Sequence, residues 1–168
     1  MKRWEEFILE FYEMISSEER LVYQPIIEAL VELDYTPIRK RTKGFILSFN
    51  NLAHNRVIAR LGVREGTGKA FFGLRFSSCI KYSDKFASVI RDRILSSNNR
   101  LAKCGDCGYC KGDKFVYTYT FPNGESKDAC GAFVLDIPEV TISDVSEIRK
   151  LIAEQHEYFM KYALYVPK

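Results

Sequence analysis

Histidine is scarce in this chain: there are two, His54 and His156, and nothing in the sequence ties either one to a serine or cysteine nucleophile. No catalytic constellation is therefore legible, and each histidine reads as a satisfied or exposed side chain. There is no HExxH, no Walker loop and no GxGxxG, which removes the motif-bearing zinc proteases, phosphate-loop enzymes and dinucleotide binders. Gly66-Thr67-Gly68-Lys69 has the composition of a phosphate loop without its spacing and reads as a hairpin turn. No apolar run approaches the roughly 18 residues of a membrane span. The opening Met1-Lys2-Arg3-Trp4-Glu5-Glu6 leads into an acidic amphipathic pattern rather than a secretory leader. The expectation is a cytoplasmic protein with no membrane partner.

What remains is enough for a globular domain. With 168 residues, 46% of them hydrophobic and 28% charged, the chain can bury about two thirds of its unfolded surface as a single α+β domain over residues 1–168. Metal is not needed merely to own a core. Five cysteines, an odd number with four of them clustered, argue in a reducing compartment for metal ligation over a disulfide framework. Cys104, Cys107 and Cys110 follow CxxCxxC spacing and can converge on one ion, Cys130 comes soon after, and Cys79 is the odd one out.

Gly105, Gly108 and Gly112 permit the positive φ angles of a knuckle that wraps an ion, while Lys103 and Lys111 offset thiolate charge. The reading is a structural four-cysteine zinc site in a cysteine-rich loop and hairpin over residues 100–132. The alternative is an iron–sulfur cluster or thiol redox chemistry, since CxxCxxC also opens the bacterial ferredoxin pattern, although the Cys-Pro expected three residues later is replaced here by Lys111-Gly112-Asp113-Lys114. Without metal, Cys79 and Cys130 would be small buried hydrophobes on strands.

The net charge of +3 hides a strong asymmetry. Residues 1–34 carry three basic and nine acidic side chains, residues 35–103 fifteen and three, and the remainder seven and ten. Either acidic helices partly neutralise a basic sheet within the fold, or the basic middle marks an anion or nucleic-acid surface.

Trp4, Phe7, Ile8, Phe11, Met14 and Ile15 recur at helical spacing, and Ser16-Ser17-Glu18-Glu19 has the form of a capping box opening a second helix. Pro25 falls inside that second pattern, so residues 17–34 are expected to be helical but broken. From Tyr35 the period becomes two, predicting strands at 36–40, 44–50, 55–64 and 69–79 in an antiparallel meander. Ser83 can cap a helix carrying Phe86, Val89, Ile90 and Ile94. Residues 114–121 and 125–133 read as a hairpin about Pro122-Asn123-Gly124, with Cys130 opposite Phe115 or Val116. Ser143 can cap a last helix whose stripe is Val145, Ile148, Leu151, Ile152, Phe159 and Tyr162, with Gln155 inside the stripe and His156 at its edge. A buried Gln155 must either bond backbone groups or face a ligand cavity.

In the third strand Arg56, Arg60 and Arg64 are expected on one face and Val57, Ala59, Leu61 and Val63 on the other, and Arg75 of the next strand can join the arginine face, depending on register. That face, with Gln155, is the candidate site for a small anionic ligand or a protein partner, which makes the chain a non-enzymatic binding module. Nucleic-acid binding through Arg39, Lys40, Arg41 and Lys43 together with the arginine strand is a further alternative.

The segments CGDCGYCKG (104–112), VYTYTFPNG (116–124), ACGAFVLDIPEVT (129–141) and SEIRKLIAEQHEYF (146–159) resemble a loose group of small bacterial proteins of unassigned activity that pair a three-cysteine cluster with a later cysteine. The resemblance covers the last 65 residues. It implies a bacterial cytosolic protein with a cysteine site at Cys104, Cys107, Cys110 and Cys130, and it carries over no catalytic residue.

Overall fold

The computed structural model describes residues 1–96 and 116–162, and their fold is α+β: four helices and a five-stranded antiparallel sheet, with a separate two-stranded hairpin. Helix α1 (Arg3–Met14) places Ile8 and Phe11 in the core. Helix α2 (Ser17–Glu32) opens on the expected capping box, in which the Glu19 N–H donates to Ser16 Oγ at 3.1 Å and the Ser16 N–H to Glu19 Oε2 at 3.4 Å.

Contrary to expectation, α2 is one uninterrupted helix with Pro25 inside it. Two side-chain bonds bridge the proline turn, Arg20 Nε to Gln24 Oε1 at 3.1 Å and Gln24 Nε2 to Glu28 Oε1 at 3.0 Å, and buried Tyr23, Ile26, Ile27 and Leu30 hold both sides of it to the core. Proline still removes one backbone bond. Pro25→Ala is therefore expected to stabilise the protein by about 1 kcal/mol, the restored bond outweighing the greater freedom of the unfolded chain. A lowered urea midpoint in this variant would contradict that account.

The sheet is built from β1 (Thr36–Arg39), β2 (Phe45–Asn51), β3 (Arg56–Val63), β4 (Ala70–Leu74) and β7 (Leu135–Ile137), in the order β1-β2-β3-β4-β7. The fourth strand ends at Leu74 rather than 79, and the short β7, which the sequence pattern did not signal, completes the sheet beside it. Phe45, Leu47, Phe49, Ala59, Leu61, Phe72, Leu74 and Ile137 form the buried face, against which α1, α2, α3 (Asp84–Ser96) and α4 (Val145–Tyr162) deliver their apolar stripes. The face turned away from the helices carries Ile46, Ser48, Arg60, Gly62, Phe71 and Gly73.

Helix α4 begins after a 3₁₀ turn (Ile142–Asp144) capped from Thr141, not from Ser143. Ser83 precedes α3 as expected, but its hydroxyl and amide donate to Glu147 of α4, each at 2.6 Å, and so tie the two helices together. The hairpin strands β5 (Val116–Thr120) and β6 (Ser126–Cys130) turn through Gly124 at φ 86°, where glycine relieves the left-handed strain. Their register sets Val116 opposite Cys130, one of the two partners expected. Tyr117 fastens the hairpin to the core: its hydroxyl accepts from the Phe76 N–H at 3.2 Å and donates to the Phe133 carbonyl at 2.7 Å. Among the described residues no helix is long and apolar enough to cross a membrane.

Candidate functional site

A recess of about 550 Å³ lies on the sheet face turned from the helices. Lys40, Lys43, Arg60 and Arg64 line it against the acids Glu65 and Asp136, and Ile46, Phe71 and Val134 supply apolar wall. Arg64 is held in place from two sides, its guanidinium 4.8 Å over the Phe71 ring and 3.0 Å from Asp136 Oδ2. Among the described residues Lys40, Lys43 and Arg60 have no carboxylate partner. A larger open cleft of about 1750 Å³ shares Arg60, Arg64 and Phe71 but also takes in Glu18, Glu19, Asp92 and Glu139. Its volume exceeds the roughly 300–1,000 Å³ of small-ligand sites, and its charges nearly balance, so the smaller recess is the better anion site.

The expected four-arginine face is only half assembled. Asn50 pairs with Val57 and Phe49 with Ala59, which leaves Ile58 as a bulge residue. One extra residue reverses the alternation, so Arg56 falls on the opposite face from Arg60. Arg75 is buried at 5% exposure with its guanidinium 4.8 Å over Phe159 of α4, on the helix side of the sheet. Of the basic set proposed for nucleic acid, Arg39 bonds both oxygens of Glu10 at 2.8 and 3.0 Å and stacks 4.6 Å over Phe45. Here one acid of α1 pairs with one cation of the sheet. Lys40 and Lys43 instead join Arg60 and Arg64, a grouping that sequence alone did not make.

A second polar cluster lies within the helix side. Helix α2 ends in a Schellman motif, with the Tyr35 N–H donating to Leu30 O and the Asp34 N–H to Val31 O, and Asp34 at φ 64°. This turn delivers fully buried Tyr35 inward. Asn51 builds the β2–β3 turn, its Oδ1 accepting from the Ala53 N–H at 2.8 Å and its Nδ2 donating to Leu33 O at 2.9 Å. That turn points His54, 2% exposed, at the same hydroxyl. Tyr35 Oη stands 3.0 Å from His54 Nε2 and 3.0 Å from His156 Nδ1 of α4, so the two histidines meet on one phenol. Burial, then His156, Arg56 and Arg75, push the His54 imidazole down to about 4. Burial also lowers that of His156, opposed by Asp34. Neither ring lines the recess.

Gln155 is fully buried, and its Oε1 accepts from the Ser78 N–H at 2.9 Å and from Ser78 Oγ at 2.8 Å, while its Nε2 has no partner among the described residues. It thus bonds backbone, one of the two expectations, and does not line the recess. Cys79 packs beside α4 with its Sγ 3.5 Å from Leu151 O, and burial pushes its thiol up to about 12. Burial therefore keeps it in the protonated thiol form.

Cys104, Cys107 and Cys110 lie outside the described residues. Cys130 is a half-buried thiol at the end of β6. Among the described residues no three His, Cys, Asp or Glu side chains form a group able to hold a metal. Comparison with known proteins finds no matching family model, no matching curated protein and no matching solved structure.

Proposed function

We propose that this chain is a non-enzymatic module that binds a small anionic ligand in the recess formed by Lys40, Lys43, Arg60 and Arg64, with a structural zinc held by Cys104, Cys107, Cys110 and Cys130. The observation that carries the reading is the convergence of four cations, three without a carboxylate partner among the described residues, on a recess of about 550 Å³ with apolar walls. An exposed cation needs no such companions to be solvated; several converging on one concavity favour an anion through charge-assisted bonds. A non-enzymatic role is supported by the commitment of both histidines to Tyr35 and of Cys79 to packing.

Titration calorimetry with pyrophosphate and with citrate tests the reading. Saturable binding of one of them is expected, and Arg60→Ala should weaken it about tenfold, the equivalent of about 1.4 kcal/mol. Binding of neither anion, or equal affinity in wild type and Arg60→Ala, would rule the recess out.

A further inference from the structure

We infer that Arg56, His54, Tyr35 and His156 form an acid-operated latch that fastens α4 to the sheet and opens when His156 takes up a proton. The direction of every bond in the latch follows from one end. The Arg56 backbone N–H lies 3.2 Å from His54 Nδ1 and can only donate, so that nitrogen accepts. A neutral His54 then carries its proton on Nε2 and donates it to Tyr35 Oη. The Tyr35 hydroxyl proton is left to donate to His156 Nδ1, and His156 carries its own proton on Nε2.

This chain cannot run backwards. If His156 Nδ1 became a donor, the Tyr35 proton would have to turn toward His54 Nε2, and His54 would need its proton on Nδ1, facing the Arg56 amide proton. An added proton thus either sets two donors against each other at Arg56 or leaves the hydroxyl proton of fully buried Tyr35 without an acceptor, and burying an unpaired donor is costly. The weakest joint is the bond from Tyr35 to His156, because His156 is the member of the pair with solvent access, while His54 is 2% exposed.

The surrounding charges direct the proton to the same place. Arg56 of β3 and Arg75 beyond β4 face His54 and repel a charge there, whereas Asp34 at the end of α2 faces His156 and attracts one. Gln155 with Ser78 and Glu147 with Ser83 hold α4 independently, so acid releases the turn around His156 rather than the whole helix. Because both imidazoles are held below their ordinary value near 6.5 in the folded state, their contribution to stability is complete above that pH. It is lost as the pH falls from there toward about 4, the His54 value.

Long-range nitrogen–proton NMR on imidazole-labelled wild-type protein tests the latch directly. At pH 7.5 both rings are expected as the Nε2–H tautomer; a Nδ1–H tautomer on either ring would overturn the inference. Tyr35→Phe removes the proton that blocks His156, so the His156 titration midpoint should rise, and the fall in urea midpoint between pH 7 and pH 5 should become smaller, with the part due to buried His54 remaining. An unchanged His156 midpoint in a folded Tyr35→Phe protein would also overturn it. Should that variant not fold, the wild-type tautomers decide.

Discussion

Gly62→Ala is expected to destabilise the protein by about 3 kcal/mol or more, the upper range for overpacking, although alanine is otherwise acceptable in a strand. In the register of the sheet Gly62 stands between Ile46 of β2 and Phe71 of β4. A β-carbon there would lie 2.9 Å from the Phe45 carbonyl carbon and 3.0 Å from Ile46 Cα, and closer still to the Phe45 oxygen. All three are backbone atoms of a neighbouring strand, so they cannot turn aside as a side chain can, and β2 would have to move away from β3. Gly73 provides the control. Its β-carbon would meet chiefly Val134 Cγ1 at 2.8 Å, the tip of a side chain, and Gly73→Ala should cost about 1 kcal/mol. Urea denaturation of the two variants separates the cases, and a Gly62→Ala protein within about 1 kcal/mol of wild type would refute the close approach of β2.

That close approach also bears on the recess, since Ile46 and Phe71, the neighbours of Gly62 on either side, are part of its wall. Gly62→Ala should therefore weaken anion binding even under conditions where the variant remains folded.

Periodicity disclosed most of the architecture, because the elements concerned are long enough to repeat. The apolar stripes of α1, α3 and α4, the capping box at Ser16 and Glu19, and the pairing of Cys130 with Val116 all follow from local spacing. The bulge did not. Arg56, Arg60 and Arg64 are separated by four residues each, which in an unbroken strand places them on one face, and the insertion at Ile58 breaks that parity. A signal was present in the three consecutive apolar residues Val57, Ile58 and Ala59, which strict alternation does not produce.

The latch was illegible for a different reason. Tyr35, His54 and His156 belong to three segments, the last residue following the first by 121 positions. Only the assembled sheet and α4 bring them together. β7 has three residues, too few for alternation to distinguish from a loop. The recess likewise required knowing that Arg39 turns to Glu10 while Lys40 and Lys43 turn to Arg60.

Cys130→Ser and Cys107→Ser are each expected to reduce zinc from roughly one ion per chain to none, while the core of the protein stays folded. The geometry of the hairpin is the reason to expect both halves of this result. Cys130 closes β6 directly opposite Val116, and Cys110 precedes Val116 by six residues, a length of chain that spans at most about 20 Å. That length allows Cys110 to meet the fourth thiol, as the proposed site requires. The hairpin's own attachment does not pass through that thiol, because Tyr117 bonds to Phe76 and Phe133 and Ser77 Oγ bonds to Gly131 O at 2.9 Å. Loss of the ion should therefore leave the five-stranded sheet and its helices intact and appear as greater protease sensitivity between residues 100 and 132. Metal analysis with an absorption spectrum on anaerobically purified protein decides the identity of the ion. Iron with sulfide in place of zinc would make the cysteines redox-active. Zinc retained in Cys130→Ser would remove that residue from the site and leave it a packing residue of the hairpin.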